Sequence, residues 1–338
     1  MTRKLTKMAK FVFFLMGGLM LVALIGKIGV DTIISNIIAI KWMFVPVLAI
    51  SGCWYVLYTG AWMQFLKRLN DSIPFWDLFR IKIAGEAVNT LTPVNFIGGD
   101  PLRIYLLKRN FPVAEGAASV VVDRTLHSAA TLIVILLGII VSFLTFHHLP
   151  ANIKYGVPIA LLVSMGFILF VLIHQRRGFF GLMLNLCRRI GIKKEFSEKT
   201  IDRFTKLDSH IIDFYRTNYR GFLIALFYHV VGRLLGITEI YVIGKAASEK
   251  FTFFAALVLT ALAPMVNAVF AFIPGALGVL EGAYGGVLYL MNLDPSIGIA
   301  IQIAKRIRSL FWILLGLFFF GAHNRKKIWE EQSLIEEV

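Results

Sequence analysis

PVNFIGGD, residues 93–100, interrupts a long apolar segment, and PGALGVLE, residues 274–281, interrupts another in the second half of the chain. Each interruption combines proline and glycine, which break helices, with a single acidic residue at its end. A basic residue then accompanies the next apolar segment, Arg124 after the first break and Arg306 after the second. The two halves of the chain therefore contain the same kind of broken segment.

The segments that lead to these two arginines also match each other. NFPVAEGAASVVVDR, residues 110–124, aligns without gaps with NLDPSIGIAIQIAKR, residues 292–306. The matched positions are Asn110/Asn292, Gly116/Gly298, Ala118/Ala300 and Arg124/Arg306. The pattern predicts a weak internal repeat, which we interpret as an inverted one. A parallel duplication and chance similarity are the alternatives.

The composition is that of a membrane protein. Of 338 residues, 58% are hydrophobic and 16% are charged, with a mean hydropathy of +0.75. This is too little charge to cover the surface of a soluble domain. The net charge of +15 comes from basic residues between apolar segments, where the positive-inside rule places them. We therefore expect no nucleic-acid partner.

Apolar runs long enough to cross a bilayer define the predicted topology. We predict one all-α polytopic domain, residues 1–338, with about six crossings of this length. The predicted crossings are Phe11–Val30, Trp42–Leu66, Thr125–His147, Tyr155–His174, Phe222–Gly244 and Gly298–Ala322.

The two broken stretches are predicted to be re-entrant helical hairpins. They cover Ile83–Leu107 and Phe251–Asn292, the second with breaks at Pro264 and Pro274. A broken backbone at membrane depth needs protein or water around it. The helices at residues 124–147 and 298–322 follow the hairpins.

Basic residues set the predicted orientation. Those at the N-terminus, in the loop 175–220 and in the C-terminal tail place both termini in the cytoplasm, and Arg80 and Lys82 fall on the same side. The first hairpin then enters from the cytoplasm and the second from outside. The two copies would form an inverted repeat, which is typical of transport sites that open alternately to either side.

One segment of the loop 175–220 is amphipathic. Phe196–Tyr215 carries apolar residues at helical spacing. It predicts a helix that lies on the inner leaflet or, equally, packs on the protein's own cytoplasmic face.

Polar residues flank the first break. Glu86 and Asn89 are three positions apart and share one face of a helix that Pro93 ends. Glu86 has a structural as well as a functional interpretation, because an acid in such a segment also serves to pair with a basic residue and hold the hairpin.

The residues after the break predict a second helix. Gly98-Gly99 permits positive φ at the tip, Asp100 is predicted to cap the helix, and Arg103 lies in its first turn. Helix ends that meet at membrane depth expose backbone groups that can hold a charged headgroup.

Basic residues within apolar segments are costly. Lys305, Arg306 and Arg308 lie close together in one predicted crossing, and Arg124 begins another. Each such charge costs about 2.5–3.5 kcal/mol at the membrane centre, even on the more lenient scale. Arginine suits phosphate because its planar group donates two hydrogen bonds at once.

We therefore predict a binding site for an anionic lipid headgroup. The predicted ligands of phosphate or carboxylate are Arg103, Arg124, Arg306 and Arg308. Residues predicted to position the lipid or balance charge are Glu86, Asn89, Asp100 and Glu281, and the breaks themselves are Pro93 and Pro274. In the alternative interpretation, Arg306 and Arg308 only neutralise Glu281 and Glu239.

His229, Arg233 and Glu239 lie in the fifth predicted crossing, and a proton relay through them is a further hypothesis. The sequence contains no phosphate-binding glycine loop, zinc-protease motif or nucleophile elbow. We expect no catalytic residue, metal or cofactor.

These residues resemble a known family. The similar positions are Gly85-Glu86-Ala-Val-Asn89, Pro93, Gly98-Gly99-Asp100, Arg103, Ala117–Arg124, Ile273-Pro-Gly275, Gly278, Glu281-Gly282 and Arg306. The chain is similar, over nearly its whole length, to the lysylphosphatidylglycerol synthase transmembrane-domain family of flippase-like bacterial and archaeal membrane proteins. SVVVDR, residues 119–124, is most similar to the hopanoid-biosynthesis-associated branch.

The resemblance implies a multi-pass protein of the bacterial cytoplasmic membrane that moves polar-headed lipids between leaflets and is not an enzyme. Full-length synthases add a soluble aminoacyltransferase domain, and because this chain ends at Val338 we expect no lipid aminoacylation. The hopanoid branch implies a hopanoid or another polyisoprenoid-derived lipid. Expected partners are membrane lipids with anionic or polar headgroups and lipid-biosynthesis enzymes.

Three other functions stay open. A membrane-embedded transferase acting on lipid-linked substrates would use Glu86 or Asp100 with His127 as a general base. A secondary transporter of a small soluble anion would take up solute into vesicles without exchange of lipid between leaflets. A structural partner in a lipid-synthesis complex would tolerate loss of the buried arginines.

Overall fold

The described part of the chain is built from α-helices. The computed structural model describes residues 44–67, 73–92, 98–145, 166, 169–190, 197–270 and 278–336. The helices are α1 (Phe44–Leu66), α2 (Phe75–Leu91), α3 (Gly99–Leu107), α4 (Val113–Thr145), α5 (Phe179–Arg189), α6 (Glu198–Thr217), α7 (Tyr219–Ala247), α8 (Phe253–Val269), α9 (Val279–Leu290) and α10 (Ser296–Glu336). The predicted all-α fold is confirmed.

Three of the described helical segments are long and apolar enough to cross a membrane: Phe44–Leu66, Val113–Val141 and Tyr219–Ala247. They overlap three of the predicted crossings, Trp42–Leu66, Thr125–His147 and Phe222–Gly244. The predicted crossing Gly298–Ala322 is one continuous part of α10. The predicted crossing Phe11–Val30 and most of Tyr155–His174 lie outside the described residues.

The two halves of the molecule have the same order of elements. Each begins with a long helix, α1 or α7, continues with two shorter helices that pack on each other, and ends with a long helix, α4 or α10. The contacts between halves are reciprocal, because α1 packs on α7, α2 packs on α10, and α8 packs on α4. This reciprocity supports the internal repeat. The opposite orientation of the copies in the membrane stays a prediction.

Both predicted hairpins are pairs of packed helices. The first pair, α2 and α3, begins at Phe75 rather than at Ile83, because the polar residues between Asp77 and Lys82 continue the helix. The second pair, α8 and α9, does not break at Pro264, which lies inside α8. A proline inside a helix removes one backbone donor and need not end the helix in a membrane protein. The tips, residues 93–97 and 271–277, lie outside the described residues.

Close packing, not positive φ, explains the two glycines at the start of α3. Gly98 has φ −99° and precedes the first turn. A Cβ on Gly99 would lie 2.0 Å from the backbone oxygen of Gly85, so only glycine permits this approach of α3 to α2. The prediction that Asp100 caps α3 is wrong, since Asp100 lies within the first turn and makes no capping hydrogen bond.

The amphipathic helix α6 packs on the protein. Its apolar residues Leu207, Ile211 and Phe214 are buried in a core shared with α1 and α4. Tyr215 donates to Gln175 Oε1 at 2.9 Å, and burial raises the pKa of its hydroxyl above the usual value, so it stays a donor. Of the two interpretations of this segment, packing on the protein's own face is the one observed.

Candidate functional site

A polar chamber lies between the two halves. We call the cavity lined by α1, α2 and α4 from the first half and by α7, α8 and α10 from the second the central chamber. Its volume of 350 Å³ is in the lower range of pockets that hold small molecules. Two apolar cores, one mainly in each half, flank it. The chamber is therefore a shared product of the repeat.

The central chamber is lined by more positively charged than negatively charged residues. The first half contributes Lys82, Glu86, Asp123 and Arg124. The second half contributes Arg233, Glu239, Lys305 and Arg308. Basic residues outnumber carboxylates, so the lining has a positive surplus and favours an anionic occupant.

In the first half, two arginines hold the carboxylates of the broken segment. Arg103 is fully buried, donates to Glu86 and lies 3.4 Å from Asp100 Oδ1. Arg124 donates to Asp100 Oδ1 at 2.8 Å and lies 3.2 Å from Glu86 Oε1. Asp100 therefore joins α3 to α4 through a bidentate ion pair, a geometry that fixes orientation as well as charge.

A second buried pair completes this cluster. Lys82 donates to Asp123 Oδ2 at 2.8 Å, and the two residues are 2% and 4% exposed. The Lys82 ammonium group turns inward to this carboxylate on α4, and the cytoplasmic side predicted for the residue stays a prediction. With Glu86, Asp100, Arg103 and Arg124, this pair makes a cluster whose charges balance.

In the second half, two ion pairs also balance. Glu281 accepts from Arg306 and from the backbone N–H of Gly278 at 2.9 Å, so it caps α9 and joins it to α10. This pair corresponds to Asp100–Arg124. Arg308 lies 2.8 Å from Glu239 Oε1, and its guanidinium carbon is 4.6 Å from the centre of the Trp54 ring.

Two basic residues make up the surplus. Arg233 donates to His127 Nε2 at 2.7 Å, and Lys305 lies 3.4 Å from the Tyr284 hydroxyl. Within the described part of the chain, no carboxylate lies within 4.0 Å of either side chain. Both line the central chamber, so their charges are available to a bound anion.

The predicted site residues fall into three groups. Those that line the central chamber are Glu86, Arg124 and Arg308. Those that support the lining or the corresponding second junction are Asn89, Asp100, Arg103, Glu281 and Arg306. Pro93 and Pro274 lie outside the described residues. Asn89 holds the start of α3 against α2, since its side-chain Oδ1 accepts from the backbone N–H of Gly99 at 2.8 Å.

Sequence reasoning missed part of the lining. Asp123 and Lys305 stand next to the two matched arginines, yet neither was assigned to the site, and Arg233 was considered only for proton transfer. The signal was present, because an ionisable residue within an apolar segment indicates function by default. Trp54, Tyr55 and Tyr58 on α1 also line the chamber, but aromatic residues are too common in membrane helices to be selected by type.

Comparison with known proteins gives a consistent picture. Residues 8–316 match the family described as "Lysylphosphatidylglycerol synthase TM region". A UPF0104 membrane protein of Pyrococcus horikoshii is 23% identical over 91% of this chain and 96% of its own length. One from Methanocaldococcus jannaschii is 24% identical over 90% of this chain and 91% of its own length. No solved structure matches the chain.

The comparisons and the apolar helices agree on the broad class. The relatives are membrane proteins by name and align along nearly their whole length. Three described segments of this chain have the length and apolar composition of membrane-spanning helices. The protein is therefore a multi-pass membrane protein.

Proposed function

The chain belongs to the lysylphosphatidylglycerol synthase transmembrane-region family, and on that premise we propose that it is a translocase that moves an anionic lipid between the leaflets of the cytoplasmic membrane. In this proposal the headgroup enters the central chamber while the acyl chains stay in the bilayer. The protein changes no covalent bond of the lipid, so it is not an enzyme.

The observation that carries the proposal is the unbalanced charge of a chamber shared by two matching halves. Arg233 and Lys305 come from the second half and face a first half whose ionic cluster is already neutral. Uncompensated positive charge at membrane depth is costly. An anionic headgroup between the halves would remove that cost.

The ionic contacts also argue against the transferase. A general base needs a free lone pair close to its substrate. Glu86 accepts from Arg103 and lies 3.2 Å from Arg124, and Asp100 accepts from Arg124. Two arginines hold the Glu86 carboxylate ionised and stabilised, which makes it a poor base. Transport is therefore favoured over transfer.

The test is lipid translocation by the reconstituted protein. We expect Arg233→Gln and Lys305→Gln each to slow the movement of fluorescent phosphatidylglycerol between leaflets by about tenfold, because a hydrogen bond to a charged group is worth roughly 1.5–3 kcal/mol. Lys206→Gln is the matched control, since Lys206 is exposed and pairs only with Asp202 on α6. The readout is the rate at which label becomes accessible to a membrane-impermeant quencher.

Other outcomes identify the alternatives. Unchanged rates in both variants would refute the assigned headgroup site, and so would equal rates for phosphatidylcholine, which has no net charge. A new lipid product formed in the presence of an aminoacyl or glycosyl donor would establish the transferase. Uptake of a soluble anion without lipid movement would establish the small-anion transporter.

A further inference from the structure

Two histidines face each other across the interface between the halves. His127 on α4 and His229 on α7 place their Nδ1 atoms 3.3 Å apart. Arg233, one turn after His229, donates to His127 Nε2 at 2.7 Å. At the other end, His229 Nε2 lies 3.2 Å from Asp123 Oδ1. The four side chains form one continuous row from the central chamber to the buried ionic cluster.

The donors in this row fix where the protons are. A guanidinium only donates, so His127 Nε2 carries a lone pair and His127 Nδ1 carries the proton. That proton is donated to His229 Nδ1, and the proton of His229 is therefore on Nε2, facing Asp123. Both imidazoles are neutral. The hydrogen bonds run in one direction, from Arg233 to His127 to His229, and His229 Nε2 then lies 3.2 Å from Asp123 Oδ1.

Other groups around the pair leave this assignment intact. Tyr58 on α1 stacks on His229 and meets the edge of His127, with ring centres 5.2 Å and 4.9 Å away. On α2 and α3, Lys82 and Arg103 are engaged by carboxylates. On α4 itself, Arg124 is paired with Asp100.

On the remaining neighbouring helices, the ionisable residues named here are engaged in other contacts. The segment Phe253–Val269, which forms α8, contains no ionisable residue. On α10, Lys305 contacts Tyr284 and Arg308 contacts Glu239. On α6, Asp208 accepts from backbone N–H groups of α5. The accessible lone pair in the row is His127 Nε2, and Arg233 occupies it.

We propose that His127 is a proton-binding site coupled to the anion site, so that the protein moves one proton together with each anionic headgroup. This inference rests on the proposed function. The anion withdraws Arg233 from His127 Nε2 into the central chamber, and a hydronium ion then transfers a proton to the exposed lone pair. The Arg233–His127 hydrogen bond is lost, one O–H bond of hydronium breaks as the N–H bond forms, a water molecule is left, and no oxidation state changes.

The coupling follows from mutual exclusion. Arg233 and a proton cannot both occupy His127 Nε2, and a protonated His127 repels the guanidinium toward the chamber. Because linkage is reciprocal, the anion raises the proton affinity of His127, and the proton raises anion affinity by the same factor. His127 Nδ1 keeps donating to His229 throughout, so the buried end of the row at Asp123 is unchanged.

The first test uses the wild-type protein in detergent with phosphatidylglycerol, whose phosphodiester stays ionised over the whole range studied. We expect the affinity to rise about 5- to 100-fold between pH 8 and pH 6, because uptake of one proton changes affinity by at most about tenfold per pH unit. Calorimetric titrations in two buffers with different ionisation enthalpies should show net proton uptake on binding.

The second test removes the proton site but keeps an acceptor for Arg233. In His127→Gln, the side-chain oxygen accepts from Arg233 and does not bind a proton in this range. We expect phosphatidylglycerol to bind with an affinity that no longer varies with pH and without proton uptake. His210→Gln on α6 is the control and should behave as wild type. Thermal unfolding of each variant establishes that it is folded.

The results separate this inference from the proposed function. Wild-type binding that is tight, equal at both pH values and free of proton uptake would overturn proton coupling and leave lipid binding standing. Retention of the full pH dependence in folded His127→Gln would also overturn it. Failure of the wild-type protein to bind phosphatidylglycerol at any pH would remove both.

Discussion

Single side chains in this protein are placed according to charge balance. Lys82 and Asp123 are almost completely buried, and Asp123 also lies near Arg103 and His229. A charge in such a position is tolerated only with a partner in good geometry, because desolvation costs several kcal/mol per ion. Asp123 is thus the carboxylate that three buried side chains, Lys82, Arg103 and His229, have close to them.

The first prediction concerns that carboxylate. Asp123→Asn leaves Lys82 buried without a counter-charge, and we expect it to reduce the free energy of unfolding by about 3–5 kcal/mol. The measurement is chemical or thermal unfolding in detergent micelles. Asp77→Asn breaks the exposed pair with Arg80 on the same helix as Lys82 and should cost less than about 1 kcal/mol. Equal losses in the two variants would contradict this account of Lys82.

At this scale the sequence predicts some site residues well and others poorly. Arg124 and Arg308 are recognisable because a charge within an apolar run is unusual. Lys82 is not, since it follows Arg80 in a basic stretch and its partner is 41 positions away. Arg233 was grouped with Glu239 on its own helix, but its observed partner, His127, is 106 positions away. Long-range pairing of charges is decided by packing.

Helices in this protein meet closely at the first break. Gly99 approaches the backbone of Gly85, and Asn89 accepts a hydrogen bond from the Gly99 N–H. The start of α3 is therefore held by α2, and this fixes the direction in which Asp100 and Arg103 leave α3. The positions of the Asp100 and Arg103 side chains therefore depend on residue 99 being glycine, without a side chain.

The second prediction tests that approach. Gly99→Ala would place a methyl group 2.0 Å from the Gly85 carbonyl oxygen, so the two helices must separate. We expect a loss of about 1–3 kcal/mol, typical of overpacking, together with slower lipid translocation. Gly286→Ala on α9 has no atom within 4 Å of its new methyl among the described residues and should change stability by no more than about 1 kcal/mol. The measurements are unfolding in detergent and the quencher assay.

The elements themselves could be predicted from the sequence to different degrees. Pro93 and Pro274 correctly indicate two pairs of shorter helices, because proline and glycine together end helices. Pro264 misleads, since α8 continues to Val269 through it. The role of Gly99 was predicted as positive φ, yet it permits contact. A proline or glycine in the sequence indicates an unusual position in the backbone. Whether that position is a break, a turn or a close contact is decided by the helix that packs against it.

In the whole molecule, the two halves hold their second hairpin helices in the same way. Asp100 on α3 binds Arg124 on α4, and Glu281 on α9 binds Arg306 on α10. The halves differ at the adjacent position, where Asp123 in the first half corresponds to Lys305 in the second. The charges that the first half contributes to the chamber lining therefore balance, whereas those of the second half leave a positive surplus.

The third prediction is that the two corresponding ion pairs have corresponding effects. Asp100→Asn and Glu281→Gln should each slow translocation by about tenfold, because each pair positions a helix that supports the chamber and hydrogen bonds to charged groups are worth roughly 1.5–3 kcal/mol. Asp202→Asn, which removes an exposed pair on α6, is the control. A large effect of one variant with none of the other would show that the halves are not functionally equivalent.

The reciprocal packing of α2 on α10 and of α8 on α4 bears on how such a protein arises. A chain with only one copy of the unit would leave α2 and α4 without their partners and could bury them only against a second identical chain. Such a two-fold symmetric homodimer would reproduce the contacts that the two halves make with each other here. Joining two copies in one chain frees each of them from self-complementarity, and the aligned positions Asp123 and Lys305 do differ in charge.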